Sequence, residues 1–131
     1  MLSFAGFGIL LDSATIFRVK ISVVIIAFNE EKNIADAIKS VDWADEVLVV
    51  DSGSEDDTRT IASAMGARVI EREWPGFAAQ KQFATDSAQN DRILSLDADE
   101  RVSPELRDEI LGLTDHADGY RIPRLSYYMD R

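Results

Sequence analysis

The stretch ISVVIIAFNEEKNIADAIKSVDWADEVLVVD, residues 21–51, decides the fold. Apart from Ser22, its first seven residues are apolar and mostly β-branched, which is typical of a strand buried on both faces of a sheet. The closing EVLVVD is a second apolar run of strand length. Between the two runs, apolar residues recur at helical spacing, namely Ile34, Ala37, Ile38 and Val41. Strand, helix and strand in this order predict one unit of a parallel sheet, with the first strand near its centre.

The same alternation continues along the chain. A loop and an acidic helix start follow residue 51, and Gly66 marks the end of that helix. Pro104 begins a further helix, since proline is tolerated in a first helical turn. The remaining elements are predicted as strands at residues 67–71, 92–99 and 119–125 and a helix at residues 77–88. This pattern predicts an α/β fold with a mostly parallel sheet and helices on both faces.

Length and composition restrict the functions that are open to the chain. Its 131 residues suit one domain, and 24 acidic against 14 basic residues give a net charge of −10. Such a charge repels a phosphate backbone, so nucleic acid is excluded as a partner. The absence of cysteine excludes disulfides and thiolate chemistry and suits a reducing compartment.

Residues 1–20 form an apolar N-terminal extension to the domain at residues 21–131. The extension opens with MLSFAGFGILL, which is too short for a membrane-spanning helix and has no positive charge ahead of its apolar part, unlike a secretory signal. Two interpretations stay open: an extension that is partly disordered or packs loosely on the domain, or a peripheral contact with a membrane surface.

Ligands of open α/β sheets bind beyond the carboxyl ends of the strands, so the residues after each strand are the candidate site. Here these tips read AFNE, DSGS and DADE and begin at Ala27, Asp51 and Asp97. A nicotinamide-dependent dehydrogenase would need G-x-G-x-x-G after the first strand, whereas this chain has AFNEEK, with no glycine and two acids. A diphosphate bound here must therefore be neutralised by something other than a glycine turn.

Asp97 and Asp99 are the candidate for that role. Two carboxylates two positions apart, where a strand ends, can turn toward one site and offer the hard oxygen ligands that Mg²⁺ or Mn²⁺ prefers. Such ions take their remaining ligands from water and substrate phosphates, so few protein ligands are needed.

Four ordered motifs, ISVVIIAFNEEKNI, EVLVVDSGSEDDT, GFAAQKQFA and LSLDADERVSPEL, resemble glycosyltransferase family 2, whose inverting enzymes have the GT-A fold of nucleotide-diphospho-sugar transferases. More narrowly, they resemble bacterial lipopolysaccharide-core β-1,4-glucosyltransferases. The resemblance extends from Ile21 to about Arg131 and implies metal-dependent binding of a UDP-sugar, UDP-glucose being the first candidate. The cofactor-binding residues that it implies are Ala27, Phe28, Asn29, Glu30, Asp51, Gly53, Lys81, Asp97, Ala98 and Asp99.

The resemblance also implies individual roles. Asp51 would accept a hydrogen bond from the uracil ring, and Lys81 would face the base or the diphosphate. Asp97 would address the ribose or a metal-bound water, and Asp99 would bind the metal directly. The implied acceptor is a saccharide or lipid-linked saccharide, handled in the cytoplasm at the inner face of the membrane. No catalytic residue is identified, because the general base is expected beyond Arg131, in an acceptor half that this chain is expected to lack.

Other interpretations of these residues stay open at this point. Asp51 and the Ser-Gly-Ser that follows it can form a turn that caps the next helix, and Lys81 can be a solvated position on an amphipathic helix. Trp74-Pro75-Gly76-Phe77 is either a packing turn or a loop that faces the sugar, and His116 receives no role. For the whole chain, the alternatives are a non-catalytic nucleotide-binding fragment and a phosphoacceptor receiver domain. The oligomeric state is open.

Overall fold

The computed structural model of the chain describes residues 20–112 and the backbone of residues 129–130. Four parallel strands form the main sheet in the order β3-β2-β1-β4, and a separate antiparallel pair joins β5 to β6. The strands are β1 (Ile21–Ala27), β2 (Glu46–Asp51), β3 (Arg68–Glu71), β4 (Arg92–Asp97), β5 (Arg101–Val102) and β6 (Met129–Asp130). The helices are α1 (Ile34–Lys39), α2 (Thr58–Ala64), α3 (Phe77–Ser87) and α4 (Pro104–Leu111).

Strand β1 lies between β2 and β4, as its apolar sequence predicts. Its residues Val23, Val24 and Ile25 are completely buried, because helices cover both faces of the sheet at this strand. The parallel register pairs Ala27 with Asp51 and Ile26 with Asp97. The ends of β1, β2 and β4 therefore lie side by side, which brings the acidic strand tips to one edge of the sheet.

The core has two parts, one on each face of the sheet. The larger part includes Ile25 of β1 and the buried faces of α1, α2 and α4. The smaller part joins Val24 and Leu48 to Ala84 of α3. Helices on both faces of a mostly parallel sheet confirm the predicted fold class.

The structure corrects some predicted boundaries. The fourth strand was predicted to run to residue 99 but ends at Asp97, because the Glu100 amide donates to the Asp97 carbonyl (2.9 Å) and closes a turn. The small β5-β6 pair was not predicted. The strand predicted at residues 119–125 and the extension at residues 1–19 lie outside the described residues. Within residues 20–112, no helix is both long enough and apolar enough to cross a bilayer.

Candidate functional site

A cleft of about 750 Å³ opens at the carboxyl edge of the sheet. It runs along the strand tips, from the segment after β3 to the turn after β4. Its lining combines an apolar floor, aromatic side chains and carboxylates: Ile26, Ala27, Phe28, Glu30, Ser52, Glu73, Trp74, Phe77, Asp97 and Asp99.

Asp97 and Asp99 both line this cleft with exposed side chains, while Ala98 between them is buried. Glu100, only 2% exposed, fixes the turn that carries them: its Oε1 accepts a hydrogen bond from the Asp97 amide (2.9 Å). Within residues 20–112, neither aspartate carboxylate has a hydrogen-bond or ion-pair partner. Two carboxylates without protein partners are thus held at one point of the cleft wall.

Hydrogen bonds join the loops that follow β1 and β2. The Asn29 amide donates to Ser54 Oγ (2.7 Å), and the Glu55 amide donates to Asn29 Oδ1 (2.8 Å). The Glu30 amide donates to Thr58 Oγ1 (2.8 Å). Asn29 has a φ of +54°, a left-handed conformation that asparagine tolerates better than most residues. The conformation of each loop therefore depends on the other, and together they present Phe28 and Glu30 to the cleft.

Asp51 is fully buried at the base of the second loop. Its Oδ2 accepts hydrogen bonds from the amides of Gly53 (3.0 Å) and Ser54 (2.7 Å) and from Arg59 Nη1 (3.1 Å). Its Oδ1 accepts from the Ser54 hydroxyl. Three of these four donors therefore share Oδ2, and one bonds Oδ1. In this arrangement the Asp51 carboxylate shapes the loop and has no surface in the cleft.

Trp74, which lies between β3 and α3, and Phe77, the first residue of α3, line the cleft with half-exposed rings. Their ring centroids are 6.5 Å apart with an interplanar angle of 50°. Gly76 between them has a φ of +115°, a conformation that favours glycine and turns the chain into α3. The Lys81 Nζ lies 5.0 Å from the Phe77 ring centroid, within the range of a cation–π contact.

The lining of the cleft is strongly acidic. Its lining holds four carboxylates (Glu30, Glu73, Asp97 and Asp99), and no lysine or arginine of residues 20–112 belongs to it. Negative charges that lie close together repel one another and attract a cation. In the described part of the chain, no group of three or more histidine, cysteine, aspartate or glutamate side chains is placed to hold a metal ion together. Two carboxylates plus ligand oxygens fit Mg²⁺ or Mn²⁺, which are held by few protein ligands.

The structure brings together half of the residues that the sequence proposed for the site. Ala27, Phe28, Glu30, Asp97 and Asp99 line the cleft. The others lie behind its wall or beside it: Asn29, Asp51, Gly53, Lys81 and Ala98. Sequence reasoning missed Ser52, Glu73 and the buried Glu100, and it left the orientation of Trp74 and Phe77 undecided. The position of Ser52 directly after β2 was a signal that could have identified it.

Residues 22–122 match the family model for glycosyl transferase family 2. The chain belongs to this family. The match confirms the resemblance seen in the motifs and rules out the alternative of a phosphoacceptor receiver domain.

Relatives and solved structures agree with this assignment. The chain is 53% identical over 92 residues to an uncharacterized glycosyltransferase of Rickettsia typhi, covering 70% of this chain and 32% of the relative. It is 33% identical over 118 residues to the lipopolysaccharide core biosynthesis glycosyltransferase LpsC of Rhizobium meliloti, covering 84% of this chain and 44% of LpsC. A crystal structure of glucosyl-3-phosphoglycerate synthase from Mycobacterium tuberculosis, in complex with Mn²⁺, UDP and glucosyl-3-phosphoglycerate, has a TM-score of 0.64 and 34% identity.

That structural match covers 78% of this chain and 41% of the synthase. The chain thus spans about a third to less than half of the length of these relatives. The match nevertheless supports the GT-A fold, because it includes most of the present chain.

Proposed function

We propose that the chain forms the donor-binding part of an inverting glycosyltransferase, which binds a UDP-sugar through Mg²⁺ or Mn²⁺ at Asp97 and Asp99. UDP-glucose is the first candidate donor. The observation that carries the proposal is the pair of exposed aspartates, without protein partners in the described residues, in a cleft that has four carboxylates and no basic lining residue. A diphosphate would be repelled from this cleft unless a cation came with it.

Each part of the cleft then has a function in donor binding. Asp97 and Asp99 would hold the cation, and Glu100 keeps the turn between them in one conformation through the Asp97 amide. The bound cation would supply charge stabilisation for the departing diphosphate. The two linked loops would position Phe28 beside the nucleoside, and Asp51 would act through the loop that it holds. A direct contact between Asp51 and the base would require the loop to move, because Asp51 is completely buried.

The relatives support the same donor chemistry. The synthase of Mycobacterium tuberculosis has been crystallised with Mn²⁺ and UDP-glucose and, separately, with Mg²⁺ and UDP. LpsC of Rhizobium meliloti is named for lipopolysaccharide core biosynthesis, which supports a saccharide or lipid-linked saccharide as the acceptor. A location in the cytoplasm at the inner membrane face belongs to the same proposal. The general base that activates the acceptor hydroxyl is not assigned.

Calorimetric titration of the chain with UDP and UDP-glucose, in Mn²⁺ and in EDTA, tests the proposal. We expect both ligands to bind only with Mn²⁺. Asp99→Asn keeps the size of the side chain but removes its charge, so we expect affinity in Mn²⁺ to fall at least about tenfold, equivalent to ~1.4 kcal/mol.

Asp108→Asn is the matched control, since the Asp108 side chain is 71% exposed and lies outside the cleft lining. It should bind UDP as the wild type does. Binding that is equally strong in EDTA, or unchanged in Asp99→Asn, would contradict the proposed metal site.

A further inference from the structure

A second groove lies at the amino edge of the sheet, where the parallel strands begin. It has a volume of about 810 Å³ and opens beside the starts of β2 and β3 and the ends of α1 and α2. Part of its lining is apolar and accessible, since Ala35, Ala44 and Val47 are half-buried and Met65 is 41% exposed. Its volume is typical of sites that bury a drug-sized ligand, so it has room for a few large side chains. None of its lining residues lines the cleft at the carboxyl edge.

The segment of residues 1–19 joins the fold at this same edge. The first described residue, Lys20, is exposed and precedes Ile21, where β1 begins. Ile21 is bonded to the groove wall at Asp45: its amide donates to Asp45 Oδ2 (2.8 Å), and its carbonyl accepts from the Asp45 amide (2.9 Å). An extended chain spans at most ~3.6 Å per residue, so Phe17 lies within roughly 15 Å of Ile21. The end of the segment is therefore within reach of the groove.

The composition of the segment is complementary to the groove. Most of residues 1–19 are apolar, and three of them are phenylalanine. Apolar side chains gain free energy by leaving water. The groove lining has four carboxylates and two basic side chains, and within residues 20–112 the exposed Asp42 has no ion-pair partner. Arg18, three residues before Ile21, carries the charge that such a lining attracts.

We propose that the groove at the amino edge is the docking surface for residues 1–19, with Phe17 inside it and Arg18 at its carboxylates. Covalent attachment gives the segment an effective concentration in the millimolar range at the groove, so a contact of modest affinity is enough to hold it there. The docked segment covers Met65 and removes its own apolar side chains from water. In a membrane contact, by contrast, these side chains would enter the lipid. The proposal is independent of the proposed function, because the donor cleft lies at the other edge of the sheet.

Crosslinking of the full chain tests the docking, because the chain has no cysteine of its own. Thr15→Cys with Met65→Cys places one thiol in the segment and one in the groove. The matched control is Thr15→Cys with Asp91→Cys, since Asp91 is exposed and lies outside the groove. Asp91 precedes β4, which pairs directly with β1, whereas Met65 precedes β3, two strands from β1. A segment without a docking site would therefore meet position 91 more readily than position 65.

A short bismaleimide at low protein concentration then gives opposite results for the two cases. We expect the intramolecular crosslink to position 65 to form at least about tenfold faster than the crosslink to position 91, equivalent to a preference of ~1.4 kcal/mol. Adding Phe17→Ser to both pairs should abolish this preference, because the apolar anchor is lost. Equal rates without Phe17→Ser, or faster crosslinking at position 91, would overturn the proposal. Crosslinked dimers as the main product would also overturn it, since the segment would then dock on a second copy.

Sedimentation with vesicles tests the membrane alternative. Neutral phosphatidylcholine vesicles avoid repulsion of a chain whose net charge is −10. A docked segment has its apolar side chains covered, so we expect the wild type to stay in the supernatant. Sedimentation of most of the wild-type protein with the vesicles, lost in Phe17→Ser, would overturn the proposal. Neither experiment contains UDP or Mn²⁺, so its result leaves the proposed function unaffected.

Discussion

Substitution of Asp51 distinguishes a carboxylate that shapes its loop from one that contacts the ligand. Asp51→Ala removes the acceptor of four hydrogen bonds, whereas Arg59 keeps its second partner, Glu71 (3.0 Å). A buried donor left without an acceptor costs about 1–3 kcal/mol, so losing the acceptor of the Gly53 and Ser54 amides costs roughly 2–6 kcal/mol, a large share of the 5–15 kcal/mol that is typical of a whole domain.

Asp51→Asn should cost much less. An asparagine can place its oxygen where Oδ2 now accepts from Gly53, Ser54 and Arg59, and its amide can donate to the Ser54 hydroxyl, which is free to rotate. Only the charge is lost, so we expect about 1–2 kcal/mol. Rescue by the amide is the signature of a positioning residue.

Urea unfolding followed by circular dichroism measures these differences, with calorimetric UDP titration beside it. Glu55→Ala is the matched control from the same loop, since Glu55 is exposed and bonds to Asn29 only through its backbone amide. It should change stability by less than about 0.5 kcal/mol. The reasoning is refuted if Asp51→Ala is as stable as the control while UDP binding disappears, because Asp51 would then be a direct ligand.

Two further predictions concern buried carboxylates. Burial raises the pKa of Glu46, but hydrogen bonds from the Gln89 amide, Arg68 and Ser22 outweigh it and lower that pKa below 4.5. Because the pKa of Glu46 is lower in the folded than in the unfolded state, Glu46 stabilises the fold above about pH 4.5 and loses this effect as the pH falls further. Glu46→Gln should therefore be about 1–2 kcal/mol less stable than the wild type at pH 7 in urea unfolding, and this difference should narrow toward pH 3. A difference in stability that stays constant with pH would contradict this reasoning. Glu100→Ala should weaken Mn²⁺ binding roughly 10- to 100-fold, because the turn at Asp97 loses its hydrogen bond. Glu100→Gln keeps an acceptor for the Asp97 amide, so calorimetry should show that it binds Mn²⁺ more tightly than the alanine variant does.

Apolar patterning was sufficient to predict the sheet. The β-branched run of β1 and the EVLVVD run of β2 form central strands of the sheet, and the helical spacing between them predicted the buried face of α1. The end of β4 was wrong by two residues. Alternation in the sequence cannot reveal that Glu100 returns to bond the Asp97 amide, since this turn depends on a side chain three positions away.

The site was predictable where it depends on topology and less so where it depends on side-chain bonding. Parallel strands end at one edge, so the proximity of Phe28 and Asp97 follows from the fold. That Asp51 bonds to its own loop and to Arg59 does not follow, because the same residues fit a capping turn or a ligand contact. The placement of Trp74 in the cleft depends on the backbone at Gly76, which the sequence alone does not specify.

The hydrogen bonds between the loops after β1 and β2 have a consequence for selectivity among donors. Asn29 and Ser54 connect two segments that come from different strands, so neither segment can adapt its shape independently. Ordering of these segments accompanies folding, and a nucleotide meets a wall whose conformational entropy is already reduced. Such a wall accommodates a poorly fitting nucleotide only by breaking its own bonds, which makes rigidity itself a means of discrimination.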